Sequence, residues 1–440
     1  MVNKIVFHPD ETTLPAAMQD GRFDVVLYGP RPMRQATGSV GNQLSAAVAS
    51  LGVRIDERVF DFLTIALAVI AADTFIDRDQ WAANGWSREI ELDIPLAQPA
   101  IWTPVLPALK KALDFLSGDQ WGISLQSGGP RPPNQAAILR KRKKIGIGAA
   151  DCVSLFSGGL DSLLGVSKLV ADGRTPVLVS HSYRGDKSYQ RDLVPRIGKQ
   201  LPWFEANAHP VKTGGGPHDT SMRTRSLGFL AYGVVVASAV ASTRGAAQGQ
   251  IDLFVPENGF IALNAPLTRR RVGSHSTRTT HPYFLNLIQE VLNAVGLPVR
   301  LTNEFRHYTK GEMMDEAAQA GRPTDIFSRT VSCGKWKRKN TQCGYCVPCL
   351  IRKAAFFKAG IDDHTRYRYD VAEAWRDPKI RDDLLAVVLA ARNGTEDSRA
   401  RAIASGPLPF EIVERDGWFS VNERGLSEVS EYLRSKGITG

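Results

Sequence analysis

CVSLFSGGLDSLLGVSKLV, residues 152–170, runs from an apolar strand-like segment through a Ser-Gly-Gly turn into an apolar stripe with helical spacing. The glycines at 158 and 159 allow a tight curl, so that several backbone N–H groups converge beside the start of the following helix. Such a nest of donors, reinforced by the helix dipole, is typical of an anion-binding loop. The same tripeptide at 127–129 is followed by Pro-Arg-Pro-Pro, which predicts a linker instead.

Short apolar runs alternate with helical patterns around this loop. The predicted strands are 152–156, 175–182 and 251–256, and the predicted helices are 161–172, 186–200, 221–242 and 282–295. This alternation predicts an α/β fold with a doubly wound parallel sheet covered on both faces. Ligands of such sheets bind outside the carboxyl ends of the strands, which is where the Ser-Gly-Gly loop lies.

Three regions follow from these patterns, and no internal repeat is visible in the sequence. Residues 1–134 are predicted to form an additional N-terminal α+β domain suited to docking a partner, ending in a Pro-rich linker. Its predicted strands are 23–29 and 88–96, and its predicted helices are 59–76 and 105–116. Residues 135–365 would form the doubly wound domain. Residues 366–440 are predicted to be a helical extension without chemistry of its own, with helical patterns at 380–392 and 427–437.

The composition indicates a globular chain with a basic excess. The 440 residues carry a formal net charge of +10 and are 43% hydrophobic. The charge favours anionic partners such as nucleotides or acidic proteins, and nucleic acid is possible but not favoured on charge alone. The first residues turn polar too early for a secretory signal, and the apolar stretches at 64–72 and 229–242 are too short to span a bilayer. We expect a cytoplasmic protein without a membrane segment.

Four of the five cysteines, Cys333, Cys343, Cys346 and Cys349, share the spacing C-x9-C-x2-C-x2-C. Four thiolates at these spacings suit tetrahedral Zn²⁺ in a closed structural site. An iron–sulfur cluster would use the same ligands. Cys152 stands alone on an apolar strand and is predicted to be buried and inert.

The loop at 157–162 is neither a Walker loop nor a Rossmann fingerprint, because no G-x-x-x-x-G-K-[ST] occurs and the glycines at 146–148 precede the strand. Its S-G-G-L-D-S resembles the PP-loop of N-type ATP pyrophosphatases, of the adenine nucleotide alpha hydrolase-like fold. The resemblance implies that the loop holds the β,γ-pyrophosphate of ATP while an acceptor attacks the α-phosphorus. Asp161 would suit capping of the helix or holding Mg²⁺ beside the phosphates.

A PP-loop domain that ends in CGYCVPCLIRKAAFFKAG (343–360) resembles the QueC family of 7-cyano-7-deazaguanine synthases. The resemblance implies a C–N bond-forming, ATP-dependent enzyme that adenylates 7-carboxy-7-deazaguanine, forms the amide with ammonia and dehydrates it to the nitrile, releasing AMP and pyrophosphate. It implies zinc on the four cysteines and catalytic parts for Ser157, Asp161 and Ser162. The ATP-binding residues it implies are Ser157, Gly158, Gly159, Leu160, Asp161, Ser162, His181, Ser182 and Arg225.

The segment after the strand at 251–256 departs from the family pattern and carries the candidate substrate residues. Glu257 and Asn258 lie at the carboxyl end of that strand, where a carboxylate can pair with the adjacent N–H donors of a guanine-like edge. Further cations are expected at the mouth of the site. They are Arg269, Arg270, Arg271, Arg278 and His281. We assign substrate binding to Glu257, Asn258, Arg271 and His281.

A typical QueC protein is close to half this length. The long N-terminal region and the segment ENGFIALNAPLT (257–268) resemble QatC, the QueC-like component of the Qat antiphage systems. That likeness implies a defence setting and a partner protein from the same system. The acceptor of the acyl-adenylate is then either ammonia or an amine on the partner. A non-catalytic nucleotide-binding scaffold and a tRNA-modifying PP-loop enzyme are the alternatives.

Overall fold

The structure is a computed structural model that describes residues 3–17, 21–30, 37–83, 85–134, 144–181, 186–198, 200–214, 218–219, 221–244, 249–268, 278–335, 341–392 and 394–438. Within these ranges the chain folds into two sheets with helices between and around them. The strands are β1 (Asn3–His8), β2 (Arg22–Leu27), β3 (Thr37–Val40), β4 (Glu89–Leu96), β5 (Gln120–Ser127), β6 (Cys152–Leu155), β7 (Pro176–His181), β8 (Trp203–Ala206), β9 (Val211–Lys212), β10 (Ile251–Phe254) and β11 (Val299–Thr302).

The helices follow the same numbering along the chain. They are α1 (Leu44–Ala49), α2 (Glu57–Phe75), α3 (Arg78–Trp81), α4 (Pro99–Trp102), α5 (Leu106–Ser117), α6 (Leu160–Ala171), α7 (Asp186–Leu193), α8 (Arg225–Arg244), α9 (Gly259–Leu263), α10 (Pro282–Ala294), α11 (Lys310–Gln319), α12 (Val347–Ala359), α13 (Val371–Arg376), α14 (Asp382–Arg392), α15 (Gly394–Ser405) and α16 (Ile412–Ser435).

The sheet that carries the Ser-Gly-Gly loop has the order β11-β10-β6-β7-β8. All four of its strand pairs are parallel, as the sequence predicted. β6 and β7 are buried along their whole length, because helices cover both faces. Strand order reverses beside β6, since β7 follows it on one side and β10 on the other. The carboxyl ends of β6 and β10 therefore open a crevice of the kind that binds ligands in doubly wound sheets.

The N-terminal region forms the other sheet, in the order β5-β4-β1-β2-β3-β9. Its first five strands are parallel, and β9 is antiparallel to β3. The prediction of an α+β fold for this region was therefore wrong, because its sheet is mainly parallel, as in α/β proteins. The chain passes through α2 before β4 and through α5 before β5. Each helix carries the chain back to the end of the sheet at which the preceding strand began, so that successive strands run parallel. The sequence revealed the strands at β2 and β4 but not their direction.

One hydrophobic core extends through both sheets and includes α2 and α8. Both helices are apolar on nearly every side because each is buried between layers. Of the described helices, α8 is the one that is long and apolar enough to cross a membrane, and 72% of that stretch is buried inside the protein. α8 therefore has the burial of a core helix.

The C-terminal helices pack against the loop domain. A second cluster joins α12 with α13, α14 and α16. α16 begins at Ile412 rather than at 427, the start that the sequence predicted. Its extra turns bring it over α9 and the start of α11, which lie beside the loop.

Candidate functional site

The Ser-Gly-Gly loop follows β6 and leads directly into α6. Gly158 has a φ of +82°, a backbone conformation that side chains with a Cβ rarely adopt. The Ser157 hydroxyl accepts a hydrogen bond from the Gly159 N–H at 3.2 Å and donates to Ser162 Oγ at 3.2 Å. α6 begins at Leu160 with Gly159 as its N-cap. The loop thus curls around its own hydroxyl and directs the positive end of α6 into the crevice.

Asp161 lies in the first turn of α6 and is only 5% exposed. Its Oδ1 is 2.6 Å from Lys310 Nζ, and its Oδ2 accepts hydrogen bonds from Asn258 Nδ2 at 2.7 Å and from the Asn258 N–H at 3.2 Å. Burial alone would raise the pKa of Asp161, but the Lys310 ammonium and the surrounding donors lower that pKa to about 2. The expectation that Asp161 caps the helix is wrong, because Gly159 takes that position.

Glu257 brings a second carboxyl to the same place. Burial and the neighbouring Asp161 carboxylate raise the pKa of Glu257 well above its ordinary value. Two carboxyls in contact repel each other when both are ionised, which favours the protonated form of Glu257 beside the ionised Asp161. The loop is thus bordered by two carboxyls whose pKa values are shifted in opposite directions.

The strand end at 256–258 reaches α6 because Gly165 has no side chain. A Cβ at Gly165 would lie 2.5 Å from the Cβ of Pro256. Asn258, which is fully buried, then caps α9 by accepting from the Ile261 N–H at 3.0 Å. Both ends of its amide are engaged, since its Nδ2 donates to Asp161. The structure therefore shows Asn258 orienting Asp161, whereas the sequence had assigned it to the substrate.

Sequence reasoning missed Lys310, the partner of Asp161. Lys310 is the first residue of α11 and is 3% exposed. Thr309 and Glu312 form a capping box around it. The pattern T-K-G-E at 309–312 predicts a helix start. No local signal shows that this lysine turns inward, because its partner lies far away in the sequence.

α16 holds the start of α11 in place. Glu428, which is 6% exposed, accepts hydrogen bonds from Thr309 Oγ1 and from the Gly311 N–H. Gly311 permits this approach, since a Cβ there would be 2.7 Å from Glu428 Oε1. Burial raises the pKa of Glu428 to about 7. The C-terminal extension, predicted to have no chemistry, thus fixes the backbone from which Lys310 projects.

The other side of the loop is bordered by β7 and α7. His181 ends β7, is 1% exposed and lies against the rings of Phe229 and Tyr232 on α8. Gln190 donates to the Ser157 carbonyl at 3.2 Å and packs on Gly158. The predicted ATP residue Arg225 begins α8 and is half-buried. The predicted residue Ser182 lies outside the described residues.

His281 and Arg278 do not join the site. His281 caps α10, with its Nδ1 accepting from the Tyr283 N–H at 3.2 Å and its Nε2 3.0 Å from Ser405 Oγ. Burial, aided by Arg278, lowers the pKa of His281 to about 3. Arg278 stacks 4.4 Å from the centre of the Phe115 ring and donates to the Phe115 carbonyl. His281, which the sequence assigned to the substrate, is thus fully buried and serves in this structure as the N-cap of α10. Arg269, Arg270 and Arg271 lie outside the described residues.

The four clustered cysteines meet as the sequence predicted. Their sulfur atoms lie within 4.8 Å of one another, and the Cys333–Cys346 and Cys343–Cys349 pairs are each 3.9 Å apart. A tetrahedron of sulfurs at ~2.3 Å from zinc has edges of about 3.8 Å, so the residues fit the metal. Backbone N–H groups of Lys335 and Cys343 point at Cys333 Sγ, and such donors stabilise thiolates. The cluster is consistent with zinc binding.

Hydrogen bonds through residues 330–331 connect the cysteine cluster to the Ser-Gly-Gly loop. The Val331 N–H donates to the Gly158 carbonyl at 3.2 Å. Gln342 donates to the Thr330 carbonyl at 3.0 Å, and the fully buried Arg352 donates to Thr330 Oγ1 at 2.6 Å. Metal at the cysteines would therefore stabilise the segment at 330–331, which is hydrogen-bonded to the loop.

Comparison with known proteins identifies relatives of this chain. A family model described as "Queuosine biosynthesis protein QueC" matches residues 279–360, a range that includes Lys310 and all four cysteines. A 7-cyano-7-deazaguanine synthase of Nitrosococcus oceani is 35% identical over 234 residues, which cover 50% of this chain and 99% of that protein. Synthases of the same name from Paracoccus denitrificans and Solidesulfovibrio magneticus are 26% and 24% identical, covering 51% and 49% of this chain and 95% of each relative. No solved structure matches the chain.

Proposed function

Because this chain belongs to the QueC family of 7-cyano-7-deazaguanine synthases, we propose that it uses ATP to adenylate a 7-deazaguanine carboxylate, which an amine then attacks. The observation that carries the proposal is the buried Lys310–Asp161 pair, at 2.6 Å, beneath the Ser-Gly-Gly loop. A buried cation next to a helix N-terminus is suited to the charge of a leaving pyrophosphate. A scaffold that no longer turned over nucleotide would have no need to keep this pair buried.

The phosphates of ATP would lie over the loop, held by Ser157, Gly158, Gly159 and the start of α6. Lys310 would neutralise charge that develops on the β,γ-pyrophosphate as the bond to the α-phosphorus breaks. The facing carboxyls of Asp161 and Glu257 offer the oxygen ligands that Mg²⁺ prefers, and Mg²⁺ binding there would favour the ionised form of both. His181 and Arg225 would border the adenosine.

The chemistry requires two displacements. A carboxylate oxygen of the substrate attacks the α-phosphorus, and pyrophosphate leaves. An amine nitrogen then attacks the acyl carbon, AMP leaves, and a proton is released. An acyl-adenylate reacts with any amine that can reach it, so ammonia gives the amide and a protein amine gives a deazaguanine conjugate. The nitrile would require a second ATP: the amide oxygen attacks its α-phosphorus, pyrophosphate leaves, and loss of AMP and of the amide protons gives the nitrile. Zinc on the four cysteines would supply a structural cross-link only.

The defence setting and the partner belong to the same proposal. The curated synthases match nearly their whole length to about half of this chain, so the other half has no counterpart within their own chains. The layout is similar to that of QatC in the Qat antiphage systems. We infer that the acceptor is delivered by a protein of the same system, either as ammonia or as its own amine.

The test is turnover by the purified chain with MgATP and 7-carboxy-7-deazaguanine, with and without ammonia and then with candidate partner proteins. AMP and pyrophosphate together with a small amide or nitrile would support the synthase reaction. AMP with a deazaguanine-sized mass gain on a protein would support conjugation. Absence of AMP under every condition would reject the proposal.

Two lysine-to-methionine variants, one inside the site and one outside it, test whether Lys310 takes part in the reaction. Lys310→Met should abolish AMP formation. Lys168→Met removes a partly exposed lysine of α6 that pairs with Asp172 at 2.8 Å, and it should leave AMP formation unchanged. Equal activity of the two variants would remove Lys310 from the mechanism.

A further inference from the structure

The two sheets have the same topology. Numbered by order of appearance, the strands of the loop sheet (β6, β7, β8, β10, β11) lie in the order 5-4-1-2-3. The five parallel strands of the N-terminal sheet also lie in the order 5-4-1-2-3. All neighbours among these strands are parallel in both sheets. The sequence showed no repeat, so the likeness lies in the fold alone.

Corresponding helices of the two halves pack against each other. α2 and α8 both connect strands 3 and 4 of their sheets, and they pack together across the shared core. α5 and α10 both precede strand 5, and they also pack together, with the rings of Phe115 and Tyr283 5.0 Å apart. Contacts between equivalent helices are typical of an isologous interface, in which a two-fold axis relates two copies.

The direction of packing agrees with a two-fold axis. Ile70, late in α2, faces Gly228, early in α8, where a Cβ would lie 2.3 Å from Ile70 Cδ1. At the other end, Val59 of α2 lines one cleft with Ser238 and Ser242 of α8. The two helices are therefore antiparallel, as the two copies of one helix must be when they meet side by side on such an axis.

Among its described residues, the N-terminal sheet has no anion site at the equivalent position. Its counterpart of the Ser-Gly-Gly loop follows β1, where the described residues form a short 3-10 turn at Glu11–Thr13 and no α-helix. Asp10 Oδ1 accepts hydrogen bonds from the N–H groups of Thr12 at 2.8 Å and Thr13 at 3.2 Å. A carboxylate of the chain thus occupies the donors that a phosphate would need, and its charge repels anions.

We propose that residues 3–127 are a nucleotide-incompetent second copy of the loop fold, which covers in cis the face that a single copy would use to pair with itself. The chain is then an internal pseudo-dimer with one nucleotide site. The partner that fits the α8–α10 face is this N-terminal copy, so the face is closed to a second chain.

The test uses the full chain in two measurements. Mass photometry at nanomolar concentration and sedimentation equilibrium at micromolar concentration should both give the monomer mass of 48.2 kDa. Calorimetric titration with a non-hydrolysable ATP analogue and Mg²⁺ should give one site per chain. Asp10→Asn should leave that stoichiometry unchanged, whereas Ser157→Ala with Ser162→Ala should weaken the single site at least tenfold.

A stable dimer mass, or two nucleotide sites per chain, would overturn the pseudo-dimer. Loss of one of two sites in Asp10→Asn would overturn it as well, because the N-terminal copy would then bind nucleotide. A monomer without any nucleotide site would instead reject the ATP site of the proposed function, and the monomer mass would still support the pseudo-dimer.

Discussion

Replacing Lys310 by methionine tests the electrostatic account of the site through stability as well as through activity. In the native chain the pKa of Asp161 is lowered from 3.8 to about 2. The pair therefore stabilises the fold above about pH 4, and this contribution of about 2 kcal/mol is lost as the pH falls toward about 2. Removing the ammonium leaves a buried carboxylate without its partner, which typically costs about 3–5 kcal/mol.

In the variant, the contribution of Asp161 to the pH dependence of stability should change sign. Without Lys310, burial raises the pKa of Asp161, so the folded state holds a proton that the unfolded state has lost near neutral pH. The free energy of unfolding of Lys310→Met should therefore fall more steeply than that of the native chain as the pH rises from 5 to 8, and urea denaturation of both proteins at both pH values measures the difference. A double variant, Lys310→Met with Asp161→Asn, should recover most of the stability and none of the AMP formation.

The control is Lys168→Met, which breaks a partly exposed pair and should cost less than about 1 kcal/mol at either pH. Two results would refute the reasoning. One is a Lys310→Met variant with native stability at pH 8. The other is a double variant no more stable than Lys310→Met, because then the uncompensated Asp161 charge would not be the cause of the loss.

Three further changes test other parts of the molecule. Cys346→Ser should release zinc, measured with a chromophoric chelator, and lower the melting temperature with it; a zinc-free variant of native stability would contradict a structural site. The native chain should lose up to about 3 kcal/mol as the pH rises from 4.5 to 7, because the pKa of Glu428 is raised to about 7. Glu428→Gln should flatten that slope in denaturation curves, and an unchanged slope would count against it. Gly228→Ala should destabilise the fold, because the new methyl group would clash with Ile70, and adding Ile70→Val should restore part of the lost stability. A double-mutant cycle should give a coupling energy of about 1 kcal/mol between the two positions. Strictly additive effects would mean that α2 and α8 do not touch there.

The loop and the metal cluster could be predicted because their residues are contiguous. Ser157 to Ser162 act through their own backbone, and the four cysteines lie within seventeen residues. In both patterns the spacing of the residues along the chain determines how their side chains and backbone groups are arranged. Lys310 could not be predicted as a site residue, since its function depends on a carboxylate brought to it by the fold.

The errors have physical causes of the same kind. His281 was taken for a cation at the mouth of the site, but the following Pro282 marks it as a helix cap. The N-terminal strands were recognised by their apolar alternation, which is the same for parallel and antiparallel pairing. The repeated topology was invisible because strand order is a property of connections, and two copies can keep it while sharing few side chains.

The fusion of two like halves in one chain removes a constraint of symmetry. In a homodimer, every substitution on one subunit appears on the other, so a surface cannot change on one side alone. Here Asp10 could replace an anion site in one half while Ser157 and Lys310 kept theirs in the other. In the N-terminal half, substitutions at the surface are thereby free of the requirements of nucleotide binding, and the half that retains the loop does not change with them.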